Sequence, residues 1–477
     1  MKRSIKVSLF GDDDLQRIHD YSIKLLQQNG IHFPNQMALG IFKEHGFAVE
    51  NQQVFFTEPQ VMKALETCPR QFSLLARAPS KSIDIGSGVL GVAGPIGPVN
   101  VTDIDSGKRP GTLEDVVRLI KIYHASDVVN VNSNNGVEAN DVPVNVRHLH
   151  IMRAVLQHTD KPFCTALFGY EAMRQAIDMV EIAVGHKLEK GGKTYMAIGS
   201  APALSPMSWS GETLGAIIAL AERHQVTNFG NATCTGVTGP IQPFATLIMQ
   251  NAEQLSGIVL SQLVNPGNPV VYGSAATPGN LKTAGYNCGS PTRMILQVGT
   301  IEMAKRFYNI PARVLTYGTD STGVDVQAGI ESYENFVGGA LAGMDYMLSE
   351  IGTLNGLLTT SYEKTIIDEE ITSRVLHLRN GIDVSDDATG LETILEVGSG
   401  GEFLTSDDTI EHMHDEWYPK YTDWDAKDRI RPEKDYEYAL RNANAEWKKR
   451  LEEAPASLIP TEVGKELDAY VARACGA

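Results

Sequence analysis

Two stretches hold carboxylates in company that suggests chemistry. "YGTDSTGVDVQAGIES" carries Asp320, Ser321, Asp325 and Gln327, and "GMDYMLSEIGTLNG" carries Glu350 among apolar and small neighbours. A carboxylate in such surroundings either answers a cation or sits in a structural hydrogen-bond network. Aromatic side chains fall at the ends of the same kind of β-rich run: Phe168, Trp209, Phe229, Tyr272, Tyr317 and Tyr346. Aromatic faces that converge beside a carboxylate are how proteins hold quaternary ammonium groups. Amide-rich loops add Asn132 in "NSNNGVEANDVP" and Asn231 in "GNATCTGVTGP". The candidates are therefore Asp320 and Glu350 for catalysis, and Phe168, Trp209, Asn231, Tyr272, Tyr317 and Asn132 for substrate binding. For any one aromatic taken singly, a place in the core is the commoner outcome, and strand alternation must turn some of them outward.

Other chemistries find little support. There is no H-E-x-x-H, no P-loop and no G-x-S-x-G. The glycines of "GVAGPIGP" are interrupted by Pro95 and Pro98, which remove backbone donors from any phosphate cradle. His148, His150 and His158 are close in sequence, but helical spacing sends the first two to different faces, so no metal is expected. No lysine lies at the end of an expected strand, which leaves a Schiff base unsupported, and no arginine is evident near Glu350.

The elements that must position these residues follow from periodicity. An amphipathic helix over 13–29, followed by helix, short strand and helix over 36–70, forms an N-terminal helical cap reaching to about Gly88. Beyond it, short apolar runs alternate with amphipathic stretches. The expected strands are Val89–Ala93, Val128–Val131, Phe163–Phe168, Tyr195–Ile198, Val226–Phe229, Val270–Tyr272, Val314–Tyr317 and Asp345–Leu348, each followed by a helix. That is a (β/α)8 TIM barrel over 89–405, whose site lies at the strands' C-terminal ends. Residues 406–477 read as a C-terminal helical appendage; they hold Trp417, Trp424 and Trp447 amid dense charge and are expected to dock on the barrel.

Composition bounds the partners. The net charge of −17, from 41 Lys and Arg against 58 Asp and Glu, speaks against nucleic acid. No apolar run is long enough for a membrane span, and the acidic cluster after the N-terminus leaves no signal segment, so a cytoplasmic protein is expected. Five scattered cysteines without C-x-x-C spacing fit a reducing compartment.

The segments "TDSTGVDVQAGIESYEN" and "GGALAGMDYMLSEIGTLNGLLTTSYEKTIIDEEI", with "GPVNVTDIDSGKRPGTLEDV", "ALSPMSWSGET" and the Trp-containing tail, resemble the trimethylamine methyltransferase family, in particular its members without pyrrolysine. The resemblance runs in order along most of the chain. It implies a (β/α)8 barrel that moves a methyl group from a quaternary amine to the Co(I) of a separate corrinoid protein. No cofactor would be bound by this chain, since it lacks a D-x-H-x-x-G cobalamin segment, and the cobalamin would come on the partner. Glycine betaine is the first substrate implied, with proline betaine, carnitine and γ-butyrobetaine as alternatives. Where glycine betaine relatives carry a histidine at the eighth strand's exit, this chain has "MLSEIG". A lyase of aldolase type and a non-catalytic betaine-binding protein are the competing readings, and a homo-oligomer remains open.

Overall fold

The computed structural model describes residues 2–424 and 437–476. Eight short strands build its centre: β1 (Gly91–Ala93), β2 (Asn132–Ser133), β3 (Phe163–Thr165), β4 (Met196–Ala201), β5 (Val226–Phe229), β6 (Val270–Ser274), β7 (Ala312–Thr316) and β8 (Tyr346–Ser349). All neighbours are parallel in the order β2 to β8 and then β1, and a parallel bridge between Ala93 and Val131 closes the ring. Each strand leads to an outer helix: α1 (Leu113–Ala125), α2 (Val144–His158), α3 (Tyr170–Val184), α4 (Gly211–Glu222), α5 (Pro243–Val264), α6 (Pro291–Glu302), α7 (Val326–Ala342) and α8 (Tyr362–Asn380). The TIM barrel expected from the βα period is the fold. Only Val226–Phe229 keeps its expected limits. The second strand shrinks to two residues beyond the expected run, while the seventh begins two residues earlier, at Ala312.

Alternation along the strands makes two cores. Ala93, Val131, Cys164, Ala197, Val226, Val271, Leu315, Tyr346 and Leu348 fill the barrel interior. A hairpin of Phe72–Leu74 and Ile83–Ile85 adds Leu74, Ile83 and Ile85 to that cluster, against Gly91 and Tyr346 at the strands' N-terminal ends. It plugs the bottom of the barrel. The other strand faces pack against the helices, so both sides of the sheet are buried and the strands read as nearly continuous apolar runs.

The N-terminal cap comprises helices Asp12–Gln28, Gln36–Glu44 and Glu58–Thr67 and a three-stranded antiparallel sheet. All three helices pack on α5, which is consequently buried on nearly every side, including Gln250, Asn251, Glu253 and Gln254. An aromatic cluster seals this joint: Phe33 meets Phe42 at 4.8 Å and Trp209 at 6.3 Å.

The tail does dock. Helix Tyr438–Glu453 lies on α8 and α1, where Trp447 stacks on Tyr362 at 4.8 Å and donates to Glu363 over 3.0 Å. Helix Thr461–Ala474 lies on α2 and α3. Trp417 donates to Ser373 on α8 and receives the Arg374 guanidinium over its ring at 4.2 Å. Between α8 and Trp417 the chain forms helices Leu391–Val397 and Asp407–His412, and no residue from 381 to 420 is buried.

Candidate active site

Strand phase and, for Trp209, the loop before α4 decide which expected residues reach the barrel mouth, and four of them are turned away. Tyr272 points out from β6, donating to Asn251 on α5 over 2.8 Å, while its neighbours Val271 and Gly273 face inward. Tyr317 shares a 2.7 Å hydrogen bond with Thr372 on α8 and packs on Phe336. Trp209 lies between Phe33 and Phe229 and donates to Ser256 over 3.0 Å. Asn132 donates to the Ile120 carbonyl on α1 over 2.9 Å. The expected cage of strand-end aromatics is therefore corrected: these side chains are packed between strand and helix, each in a different place. Phe168, 44% exposed, stands on the rim after β3.

Asn231 stays at the exit of β5 as a brace between loops. Its Oδ1 accepts from the Ala203 amide (3.0 Å) and its Nδ2 donates to Glu253 (2.6 Å). Glu253, buried on α5, also accepts from Ser205 and from the Met207 amide, both at 2.8 Å, so one carboxyl organises the loop after β4. Burial pushes Glu253 up to about 7, against the pull of those donors. Its folded value lies above the 4.5 of a free glutamate, so the folded state holds the extra proton between the two. Its contribution to stability is complete below pH 4.5 and is lost as the pH rises to 7, by about 3 kcal/mol. Glu253→Gln is expected to flatten that slope, read by urea unfolding across the interval; identical slopes in both proteins would refute it.

On the β7–β8 side, Glu350 meets Arg293 of α6 at 3.1 Å, both out of contact with solvent. The expectation that no arginine lies near Glu350 is thus corrected: the pair is 57 residues apart in sequence. Arg293 also donates to the carbonyls of Cys288 and Leu315, both at 3.1 Å, and its guanidinium carbon lies 5.9 Å from the Tyr286 ring centre. Burial pushes the Glu350 carboxyl up and the arginine only partly offsets this. Glu350 Oε2 takes the arginine, while Oε1 is buried without a hydrogen-bond partner. Asp320 acts as a clamp on the loop beside them, accepting the amides of Cys288 and Gly289, each at 3.0 Å.

A second guanidinium stands in the barrel interior. Arg313 of β7 is completely buried; its Nε donates to the Phe229 carbonyl at the end of β5 (2.8 Å) and its Nη2 to Ser200 on β4 (2.6 Å). It reaches that height because β6 and the exit of β5 supply glycines. A Cβ at Gly273 would overlap its Cγ and Cδ, and one at Gly230 would overlap the guanidinium. Its Nη1 is buried with no hydrogen-bond partner, and no ion pair holds it among the described residues. Burial brings it down to about 10, with Tyr346, Tyr286 and Cys164 opposing. Tyr286, whose hydroxyl donates to the Ala275 carbonyl, is within electrostatic reach of both Arg293 and Arg313. Arg313, Arg293 and Tyr286 were not among the residues expected. The expected seventh strand began at Val314, one residue too late for Arg313. The signal that marks it is a charged residue in an apolar run together with the glycines of "FGN" and "YGS".

The mouth thus carries a guanidinium edge on one side and a carboxylate oxygen on the other, each lacking a partner. Comparison with known proteins gives this arrangement a family. The model of the trimethylamine methyltransferase (MTTB) family matches residues 1–475. The glycine betaine methyltransferase of Desulfitobacterium hafniense (strain Y51) is 31% identical over 469 residues, 98% of this chain and 97% of that one. The proline betaine:corrinoid methyltransferase of Eubacterium limosum is 30% identical, covering 85% of each chain, and its L-carnitine:corrinoid methyltransferase is 28% identical, covering 87% of each. With a match that spans the barrel, the cap and the docked tail alike, this chain belongs to the trimethylamine methyltransferase family.

Proposed function

We propose that this protein transfers a methyl group from a small betaine to the Co(I) of a separate corrinoid protein. The observation that carries the reading is the Arg313 guanidinium at the barrel mouth, which no carboxylate answers among the described residues, together with the free Oε1 of Glu350. A buried guanidinium with a free Nη1 is costly unless an anion meets it, and a betaine brings a carboxylate together with its quaternary ammonium. Trimethylamine would leave Arg313 unanswered. Glu350 Oε1, the Tyr286 ring and Asp320 beside them supply negative potential for the cation, and Arg293 keeps Glu350 from repelling the substrate's carboxylate.

The chemistry asks little of these residues beyond placement. Attack of Co(I) on an N-methyl carbon forms the Co–C bond and breaks the C–N bond, and the electron pair leaves with nitrogen as a neutral tertiary amine. No proton has to be delivered, so alignment of the methyl group with the incoming cobalt is the main requirement. The acceptor has a surface to meet. Phe168, Leu204, Ile241, Leu281 and Leu358 are exposed in the loops that follow β3, β4, β5, β6 and β8, and Val326, also exposed, opens α7 after the loop that follows β7. An apolar rim of this kind suits docking of a protein over the mouth.

Glycine betaine is the first substrate in this reading, then proline betaine, carnitine and γ-butyrobetaine, with the cobalamin held by the partner alone. The setting is the cytoplasm, a reading supported by five free cysteines, four of them buried, and among the described residues no helix is long and apolar enough to cross a membrane. A panel of betaines mixed with a Co(I) corrinoid protein tests the proposal. One betaine should convert the Co(I) spectrum to that of methyl-Co(III), and tetramethylammonium, which has no carboxylate, should not. A spectrum unchanged by every quaternary amine would overturn it.

A further inference from the structure

The segment 381–420 is ordered without any core of its own. Its two helices have seven and six residues, far below the length at which an isolated helix persists in water, and no residue between 381 and 420 is buried. Nevertheless it displays Leu391, Ile394, Leu395, Phe403, Leu404 and Ile410, with Leu395 72% and Leu404 77% exposed. Nothing among the described residues covers this surface, and an exposed apolar patch of this kind marks a place of contact with another molecule. The segment is also of one sign, with eleven Asp and Glu and no Lys or Arg from Gly381 to Pro419.

A complementary surface lies at its root. A groove of about 640 Å³ is lined by Ile5, Lys6, Lys305, Arg306, Leu341 and Arg379, and it adjoins a second, of about 420 Å³, that includes Arg3, His377 and Ile382. Of its cations, Lys305 is paired with Asp345 at 2.7 Å and Arg306 with Glu302, which also lines the groove, at 2.6 Å, so Lys6, Arg379 and Arg3 are the charges that make this apolar surface complementary to the anionic segment. Within it, Arg379 Nη1 is buried without a hydrogen-bond partner. The first residues of the segment form part of the same face, since Ile382 and Asp383 pair antiparallel with Arg3 and Lys2.

We propose that the chain forms a two-fold dimer in which the acidic arm 384–416 of each copy lies in the basic groove of the other. Arm root and groove share one face, and a patch that carries both halves of a contact is what a self-complementary two-fold interface requires. The corrinoid protein is not the occupant. The groove is lined by Gly88, Gly343 and Asn380, which lie just before β1 and β8 and at the end of α8, on the barrel face opposite the mouth. Only this exclusion rests on the proposed function; the charge and burial arguments stand without it.

Sedimentation equilibrium of the full chain at micromolar concentration tests the proposal. The expected mass is twice 51.9 kDa, with dissociation favoured by added salt. Leu395→Asp combined with Leu404→Asp should weaken the dimer roughly 30-fold or more while near-ultraviolet circular dichroism stays unchanged, since neither side chain is buried in the chain itself. Arg379→Glu, which alters the groove instead of the arm, should weaken it as well. A monomeric wild-type chain, or variants that dimerise as tightly as wild type, would overturn the proposal and leave the methyl-transfer reading untouched. The spectral test with betaines fails or succeeds independently of mass.

Discussion

Arg313→Met is expected to raise the dissociation constant for the cognate betaine roughly a hundredfold, corresponding to about 3 kcal/mol, and to leave the affinity for tetramethylammonium nearly unchanged. The size follows from the site. Arg313 is already anchored by the Phe229 carbonyl and Ser200, so presenting Nη1 to a carboxylate requires little further ordering, and the contact forms away from water. Arg313→Lys keeps the charge but loses the planar fork and should fall between the two. The folded protein should tolerate the methionine, because wild type buries a guanidinium that has no carboxylate against it. Burial lowers Arg313 to about 10, yet a guanidinium keeps its charge in a protein, so betaine affinity should hold steady as the pH is raised through the neutral range. Titration calorimetry reads all three effects. Unchanged betaine affinity in Arg313→Met would remove the residue from the site.

The second large effect is one of stability, and it is asymmetric. Glu350→Gln strands Arg293, fully buried and unable to lose its charge, and should cost about 3–5 kcal/mol of unfolding free energy. Arg293→Met strands a carboxyl instead, and a carboxyl can take up a proton. Burial already pushes Glu350 upward, and without the arginine nothing of comparable strength opposes it. This variant should therefore be the milder of the two at low pH. Its folded carboxyl would titrate above the unfolded one, so its stability should fall as the pH rises. Urea unfolding at two pH values separates the variants. Equal losses with no pH dependence would show that the pair does not stabilise the fold through its charges.

The sequence was legible where local pattern and final structure coincide. The alternation of apolar run and amphipathic stretch required a barrel, and Val226–Phe229 emerged with its limits intact because turn residues bracket it. What local pattern does not contain is the phase of each strand. When helices cover the outside and side chains fill the inside, both faces are apolar, and Tyr272 looks the same whether it faces the lumen or α5. The same ambiguity holds for Tyr317 and Asn132, and Trp209 belongs to a joint with the N-terminal cap that no local window spans. Arg293 carries no local signal because it lies within α6, away from the strand exits. Its identity as Glu350's partner is a property of the closed barrel, in which α6 lies against β7 and brings its guanidinium up to the end of β8. Arg313 is a different case. It was visible as a charge in an apolar strand, and its meaning required the glycines of two neighbouring strands to be seen beside it.

The hairpin of Phe72–Leu74 and Ile83–Ile85 makes the barrel a vessel with one opening. Substrate, solvent and product share the mouth, and a macromolecule seated on the rim stoppers it. Under methyl transfer this imposes a sequence of events: the betaine enters before the corrinoid protein seats, and the tertiary amine departs only after it lifts. Turnover would then be paced by association and release of two proteins, an order that product-inhibition patterns read directly.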